Sequence, residues 1–169
     1  PLDRVLVALD PPATSGPKAD ACGLVVVGRH GTGRDAQAYV LHDGTLRGAR
    51  PEGWAEAAVA LFHQFEADAV LAETNQGGEM IEAVIREVGP DVPVLSRHAR
   101  RSKRSRAMPV GLLYARGRVR HVGRMDALED ELCAFGGPAQ AGSPDRMDAL
   151  VWGVSELLLG TPAPKVRFL

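Results

Sequence analysis

The chain has only two cysteines, Cys22 and Cys133, and neither belongs to a CxxC pair or lies near clustered histidines. That usage points to buried free thiols in a reducing compartment. The five histidines show no zinc-ligand spacing, and His98 and His121 read as surface residues or phosphate contacts rather than metal ligands. No apolar run approaches the ~18 residues that span a bilayer, so no membrane segment is expected. The N-terminus, PLDRVLVALD, lacks the basic region, apolar core and cleavage site of a secretory signal. It also lacks an initiator Met, which fits an excised domain or a processed product. There is no GxxxxGK[ST] phosphate loop, and GRHGTGRD does not match one. ATP hydrolysis is therefore not assigned to this chain.

What is present suits a globular protein. Hydrophobic residues make up 45% of the 169 and charged residues 24%, enough for one domain with a real core, and no internal repeat or low-complexity linker divides residues 1–169. The net charge is −1, but it is unevenly spread. Residues 97–106, RHARRSKRSR, hold six of the 20 Lys and Arg; the other 14 face 21 acidic residues, a remainder of −7. A basic patch on an otherwise acidic domain suggests a polyanion held at one place. A solvated basic helix face is the plainer alternative.

Hydrophobic patterning orders the elements. DRVLVALD (3–10), CGLVVVGRH (22–30) and AQAYVLHDGTLRG, which leaves at His42-Asp43-Gly44, read as three strands of an antiparallel meander. PEGWAEAAVALFHQFEA reads as a helix starting near Pro51, then DAVLAET as a short strand ending at Glu73. After the NQGG turn, EMIEAVIREVG is a helix closed by Gly89, and VPVLS a buried strand. The basic segment runs into a helix at about 102–115, with a kink or break expected at Pro109. GRVRHVG is a short extended piece and MDALEDELCAF an amphipathic helix. SPDRMDALVWGVSELLLG is the last helix, with Ser143 as N-cap, Pro144 in the first turn and Gly160 as C-cap. The order predicts an α/β domain whose mixed sheet begins with three antiparallel strands and continues in βα units flanked by helices.

Acidic residues at three places stand out. Asp10 ends the apolar run VLVAL, directly before two prolines, and Glu73 ends AVLA. Asp145 and Asp148 open a helix that is apolar almost all the way round. A buried carboxylate costs several kcal/mol unless it is paired or binds a metal. Singly, three have a structural explanation: Asp10 can cap its loop near Ala13, Glu73 can pair with an arginine, and Asp145 favours a helix N-terminus; Asp148 is the hardest to explain this way. Together they suggest convergence, because two neighbouring strand ends and the helix start can meet at one point. Three or four carboxylates suit hard divalent cations such as Mg²⁺ or Mn²⁺, two of them ~3.5–4 Å apart in phosphodiester chemistry.

ALDPPATSG with CGLVVVGR, then AETNQGGEM, then SPDRMDALVWGVSEL, resemble the C-terminal nuclease domain of phage or gene-transfer-agent large terminase subunits, within the ribonuclease H-like superfamily. The resemblance runs from Asp10 to about Leu158. It implies a nuclease that cuts concatemeric double-stranded DNA during genome packaging in the bacterial host cytoplasm, with two Mg²⁺ or Mn²⁺ ions. Carried over, the metal ligands and catalytic residues are Asp10, Glu73 and Asp148, with Asp145 as a further member. It also implies a packaging ATPase domain, which this chain lacks, and portal and small-subunit partners. Arg100, Arg101, Lys103, Arg104 and Arg106 then line a groove for the DNA backbone, with Thr14 and Ser15 touching phosphate. With 5% aromatic residues, base stacking is not expected; phosphate contacts and strong salt dependence are. Two alternatives keep the fold: a RuvC-type junction resolvase, whose last helix also reads Asp-x-x-Asp-Ala-Leu, and a non-catalytic DNA-binding module with its carboxylates paired to arginines.

Overall fold

A computed structural model describes residues 1–12, 21–74, 78–99, 102–138, 140 and 142–160. Strands β1 (Arg4–Asp10), β2 (Gly23–His30) and β3 (Gln37–Asp43) come first. They are followed by α1 (Pro51–Gln64), β4 (Ala69–Glu73), α2 (Gly78–Val88), β5 (Val94–Arg97), α3 (Lys103–Ala115), β6 (Val119–His121), α4 (Asp126–Ala134) and α5 (Asp145–Leu158). The six strands form one sheet in the order β5-β4-β1-β2-β3-β6. β1, β2 and β3 pair antiparallel, as expected; β4 pairs parallel with β1, β5 with β4, and β6 with β3.

Both faces of the sheet are covered, which is why β1 reads as a continuous apolar run rather than an alternating one. Val5, Val7 and Leu9 point to one side, into a core shared with α1 and α2 through Trp54, Ala58, Ile81 and Ile85. Leu6 points to the other, into a core with Val110 and Leu113 of α3, Leu128 of α4 and Leu150 and Val154 of α5. The two-residue period then assigns the strand ends. Asp10 follows Leu6 and Ala8, and Glu73 follows Ala69 and Leu71, so both carboxylates lie on the α5 side. Leu9 is in register with Ala72, which makes Asp10 and Glu73 the next residues on adjacent parallel strands.

Small residues let helix α5 lie directly on the sheet. A Cβ on Gly153 would come within 2.5 Å of Val27 Cγ2 and 3.2 Å of Ala8 Cβ. A Cβ on Gly23 would overlap the backbone carbonyl of Asp145. Gly23 is the register partner of Asp10, so this contact lays the first turn of α5 over the end of β1.

Several local expectations need correction. Pro109 lies inside α3, which runs unbroken across it; the carbonyl it orphans belongs to Ser105, an exposed residue that water can serve. The N-cap of α5 is Pro144 rather than Ser143, and it makes no side-chain cap bond. Two N–H groups of that first turn, from Arg146 and Met147, instead donate to Glu131 Oε2 at 3.0 and 3.2 Å. Its C-cap is Leu159, one residue before Gly160. Cys22 is buried but Cys133 is exposed. Among the described residues no helix is long and apolar enough to cross a membrane.

Gly23→Ala is expected to destabilise the protein by about 1–3 kcal/mol in urea unfolding, because a backbone group must move. Gly111→Ala in α3, where an added Cβ meets nothing within 4 Å, is the control and should stabilise by roughly 0.5–1 kcal/mol.

Candidate functional site

Four elements supply the site: the ends of β1 and β4, the first turn of α3 and one stripe of α5. Residues 145, 148, 152 and 156 follow helical i, i+3, i+4 spacing and share that stripe. Asp148 is 1% exposed and Asp145 7%, values rare for carboxylates. Ser143 Oγ donates to Asp145 Oδ1 at 2.5 Å.

Two cations from α3 reach into this acidic group. Lys103 Nζ lies against Asp148 Oδ2, and Arg106 Nη2 is 3.9 Å from Oδ1. Asp148 Oδ2 is thus paired with the ammonium, whereas Oδ1 has no donor within hydrogen-bond reach. Arg106 Nη1 donates to Glu73 Oε2 at 3.2 Å, and Trp152 Nε1 donates to the same oxygen at 2.6 Å. The Arg106 guanidinium also stacks on the Trp152 ring, 4.5 Å from its centroid. Glu73 is thus held by a crossed pair of donors that brace each other.

The electrostatics follow from this packing. Burial, then the charge of Asp148, push the Asp10 carboxyl up to about 8; Glu73 and Asp145 add to the rise and Lys103 opposes it. Burial likewise pushes Asp148 up, against the pull of Lys103 and Arg106. Lys103 loses some basicity to burial, but its contact with Asp148 and the charges of Asp10 and Asp145 raise it overall. It therefore stays an ammonium.

The structure places Glu73, Asp145 and Asp148 near enough to Asp10 for their charges to raise its carboxyl. It does not close them into a ligand set: among the described residues no three His, Cys, Asp or Glu side chains stand at metal-holding spacing. Lys103 and Arg106 are inserted among them instead. The donor chemistry still fits a hard cation, since the acidic side chains offer only carboxylate oxygens and Oδ1 of buried Asp148 lacks a hydrogen-bond donor.

The basic set divides. Lys103 and Arg106, expected on a DNA groove, face the carboxylates, because positions 103, 106, 110 and 113 share the inner face of α3 with buried Val110 and Leu113. Arg104 is exposed. Arg100, Arg101, Thr14, Ser15 and the Asp10 loop cap near Ala13 lie outside the described residues. His98 is exposed, as expected. His121 is not a free surface residue: its ring bridges Tyr114 Oη at 2.7 Å and Glu129 Oε1 at 3.0 Å.

Two supporting residues escaped the sequence reading, Trp152 and Arg146. Trp152 holds Glu73 beside Arg106, the arginine partner allowed for Glu73, and Arg146 ties Asp43 to Glu131 at 2.9 Å each. Further along the α5 stripe, Glu156 takes Arg97 through two bonds of 2.8 and 2.9 Å. The periodicity 148–152–156 was a usable signal for the α5 members.

The family model described as "Terminase RNaseH-like domain" matches residues 7–157. Among solved structures, the P22 large terminase nuclease domain is similar with a TM-score of 0.65 at 15% identity, over 89% of this chain and 79% of that one. The large terminase nuclease of thermophilic phage G20c with bound magnesium gives 0.64 at 16% identity, over 90% and 81%. The nuclease domain of the bacteriophage SPP1 large terminase with bound Mn gives 0.58 at 14%, over 92% and 87%. Among curated proteins, none matches.

A pH dependence follows from Asp10. Unfolded, it titrates near ~3.9; folded, it titrates at about 8. Between these values the folded chain keeps a proton that the unfolded chain releases, so the stability it contributes is lost as pH rises through about 8. Asp10→Asn cannot ionise. With chelator present, its urea-unfolding stability should exceed that of the wild type near pH 8 and decline less steeply from pH 5.

Proposed function

The chain belongs to the terminase RNase H-like family, and from that premise we propose that it is a divalent-metal-dependent endonuclease cutting double-stranded DNA. The observation that carries this reading is the chain's own acidic group. Carboxylates end two adjacent strands on the α5 side, and buried Asp148 of α5 joins them with its Oδ1 lacking a hydrogen-bond donor. Asp10, Glu73 and Asp148, with Asp145, would hold the ions. A pair of Mg²⁺ or Mn²⁺ ions would supply Lewis-acid activation of a water and stabilisation of the departing 3′ oxygen.

The chain's own residues set the conditions for that chemistry. β1 and β4 hold Asp10 and Glu73 on rigid, register-paired backbone. Trp152 and Arg106 fix one oxygen of Glu73 and so orient the other. Burial keeps Asp10 protonated at neutral pH while no cation is bound, so loading the site releases a proton. Single-site, backbone-directed cutting of concatemeric DNA during genome packaging is the role that suits the family, in the bacterial host cytoplasm. An ATPase domain, portal and small terminase subunit are its expected partners.

The ion pairs of Glu73 and Asp148 favour a second reading, a non-catalytic DNA-binding module. Incubation of supercoiled plasmid with the purified chain separates the two. Nicking with Mn²⁺ or Mg²⁺, abolished by chelator and reduced to the chelated level in Asp10→Ala, Glu73→Ala and Asp148→Ala, is the expected result. Full activity of Asp10→Ala would sink the site assignment. DNA binding with no calorimetric uptake of divalent metal would favour the module. Preferential cleavage of four-way junctions would favour a resolvase.

A further inference from the structure

Lys103 occupies a position that its own helix disfavours. It is the first residue of α3, whose first turn contains no acidic residue. The positive end of the helix dipole repels cations there. Nearly half of its side chain, 45%, remains exposed, so its flexible stem has open space to move into. The ammonium nevertheless turns inward onto Asp148, which is 1% exposed, and reaches to 3.5 Å from Ser143 Oγ, the hydroxyl bonded to Asp145. What holds it is the uncompensated charge of the carboxylates. Arg106 differs: at 12% side-chain exposure it is wedged between Glu73 and the Trp152 ring and is part of the fixed frame.

We propose that Lys103 is an internal stand-in cation, which neutralises Asp148 while no metal is bound and is displaced by a divalent ion to become a DNA phosphate contact. The inference rests on the metal-binding reading of the site. A divalent ion on Asp148 removes the attraction that keeps the ammonium inward and adds repulsion to that of the helix end. Both forces then drive Lys103 outward. There it joins exposed Arg104, on the side where a polyanion approaches. Loading the site with metal and strengthening the grip on DNA thereby become one coupled event, with Lys103 competing against the first and contributing to the second.

Calorimetry with Mn²⁺ on the chain, as wild type, Lys103→Gln and Lys103→Arg, tests the competition. Lys103→Gln should bind Mn²⁺ about tenfold tighter, the scale of one charge-assisted contact. It should also melt at a lower temperature than the wild type in chelator, because Asp148 loses its counter-charge. Lys103→Arg should resemble the wild type in both. Fluorescence anisotropy on a short duplex tests the release. The salt slope of the wild type in Ca²⁺ should exceed that of Lys103→Gln by about 0.9, one phosphate contact, with no such gap in chelator. Equal Mn²⁺ affinity in wild type and Lys103→Gln would overturn the competition and leave the metal site standing. No Mn²⁺ binding by any of the three would overturn the metal reading itself. A slope gap that is present in chelator, or absent in Ca²⁺, would overturn the release.

Discussion

The close seating of α5 on the ends of β1 and β2 is the constraint on which the rest depends. Gly23 admits the Asp145 carbonyl where any side chain would collide, and Gly153 does the same beside Val27 and Ala8. Without that approach, Asp148 would sit a side chain's width further from Asp10 and Glu73. The same contact strips water from the carboxylates. Proximity and desolvation therefore come from one packing decision, and they act in the same direction, raising the cost of ionising the group.

The chain answers that cost with three kinds of compensation. Asp10 is kept protonated by its surroundings. Glu73 receives two donors from fixed, mutually stacked groups. Asp148 receives a cation at the end of a mobile stem. Only the middle arrangement is rigid, and Glu73 is accordingly the best-positioned carboxylate of the group. The first two turns of α5 are anchored from outside, since Glu131 of α4 caps their N–H groups and Arg146 ties them to Asp43 at the end of β3.

Much of this was legible in the sequence, for physical reasons. A carboxylate that ends an apolar run is conspicuous because burying it is expensive, so Asp10, Glu73 and Asp148 could be singled out from 21 acidic residues. Strand order followed from short turns and from buried runs bounded by Pro and Gly. What could not be read were contacts set by how one element lies on another. Trp152 reaches Glu73 across 79 residues, and Arg106 reaches it across 33; both depend on helix rotation, which no local pattern states. The inward turn of Lys103 and Arg106 was missed because a dense basic segment reads as one solvated face, whereas a helix divides it into two. Pro109 does not break α3, although its ring removes one helical hydrogen bond; the carbonyl left over belongs to exposed Ser105.

The assembly order of the site has a consequence for how the protein is made. Asp10 and Glu73 meet as soon as β1 and β4 pair, but Asp148 arrives from a helix that follows every strand in the sequence. Long-range contacts of this kind form late in folding. A chain that ends before residue 145 has all the strands of this sheet in its sequence but only half of the acidic group. The acidic group is thus complete only once α5 has docked on the sheet.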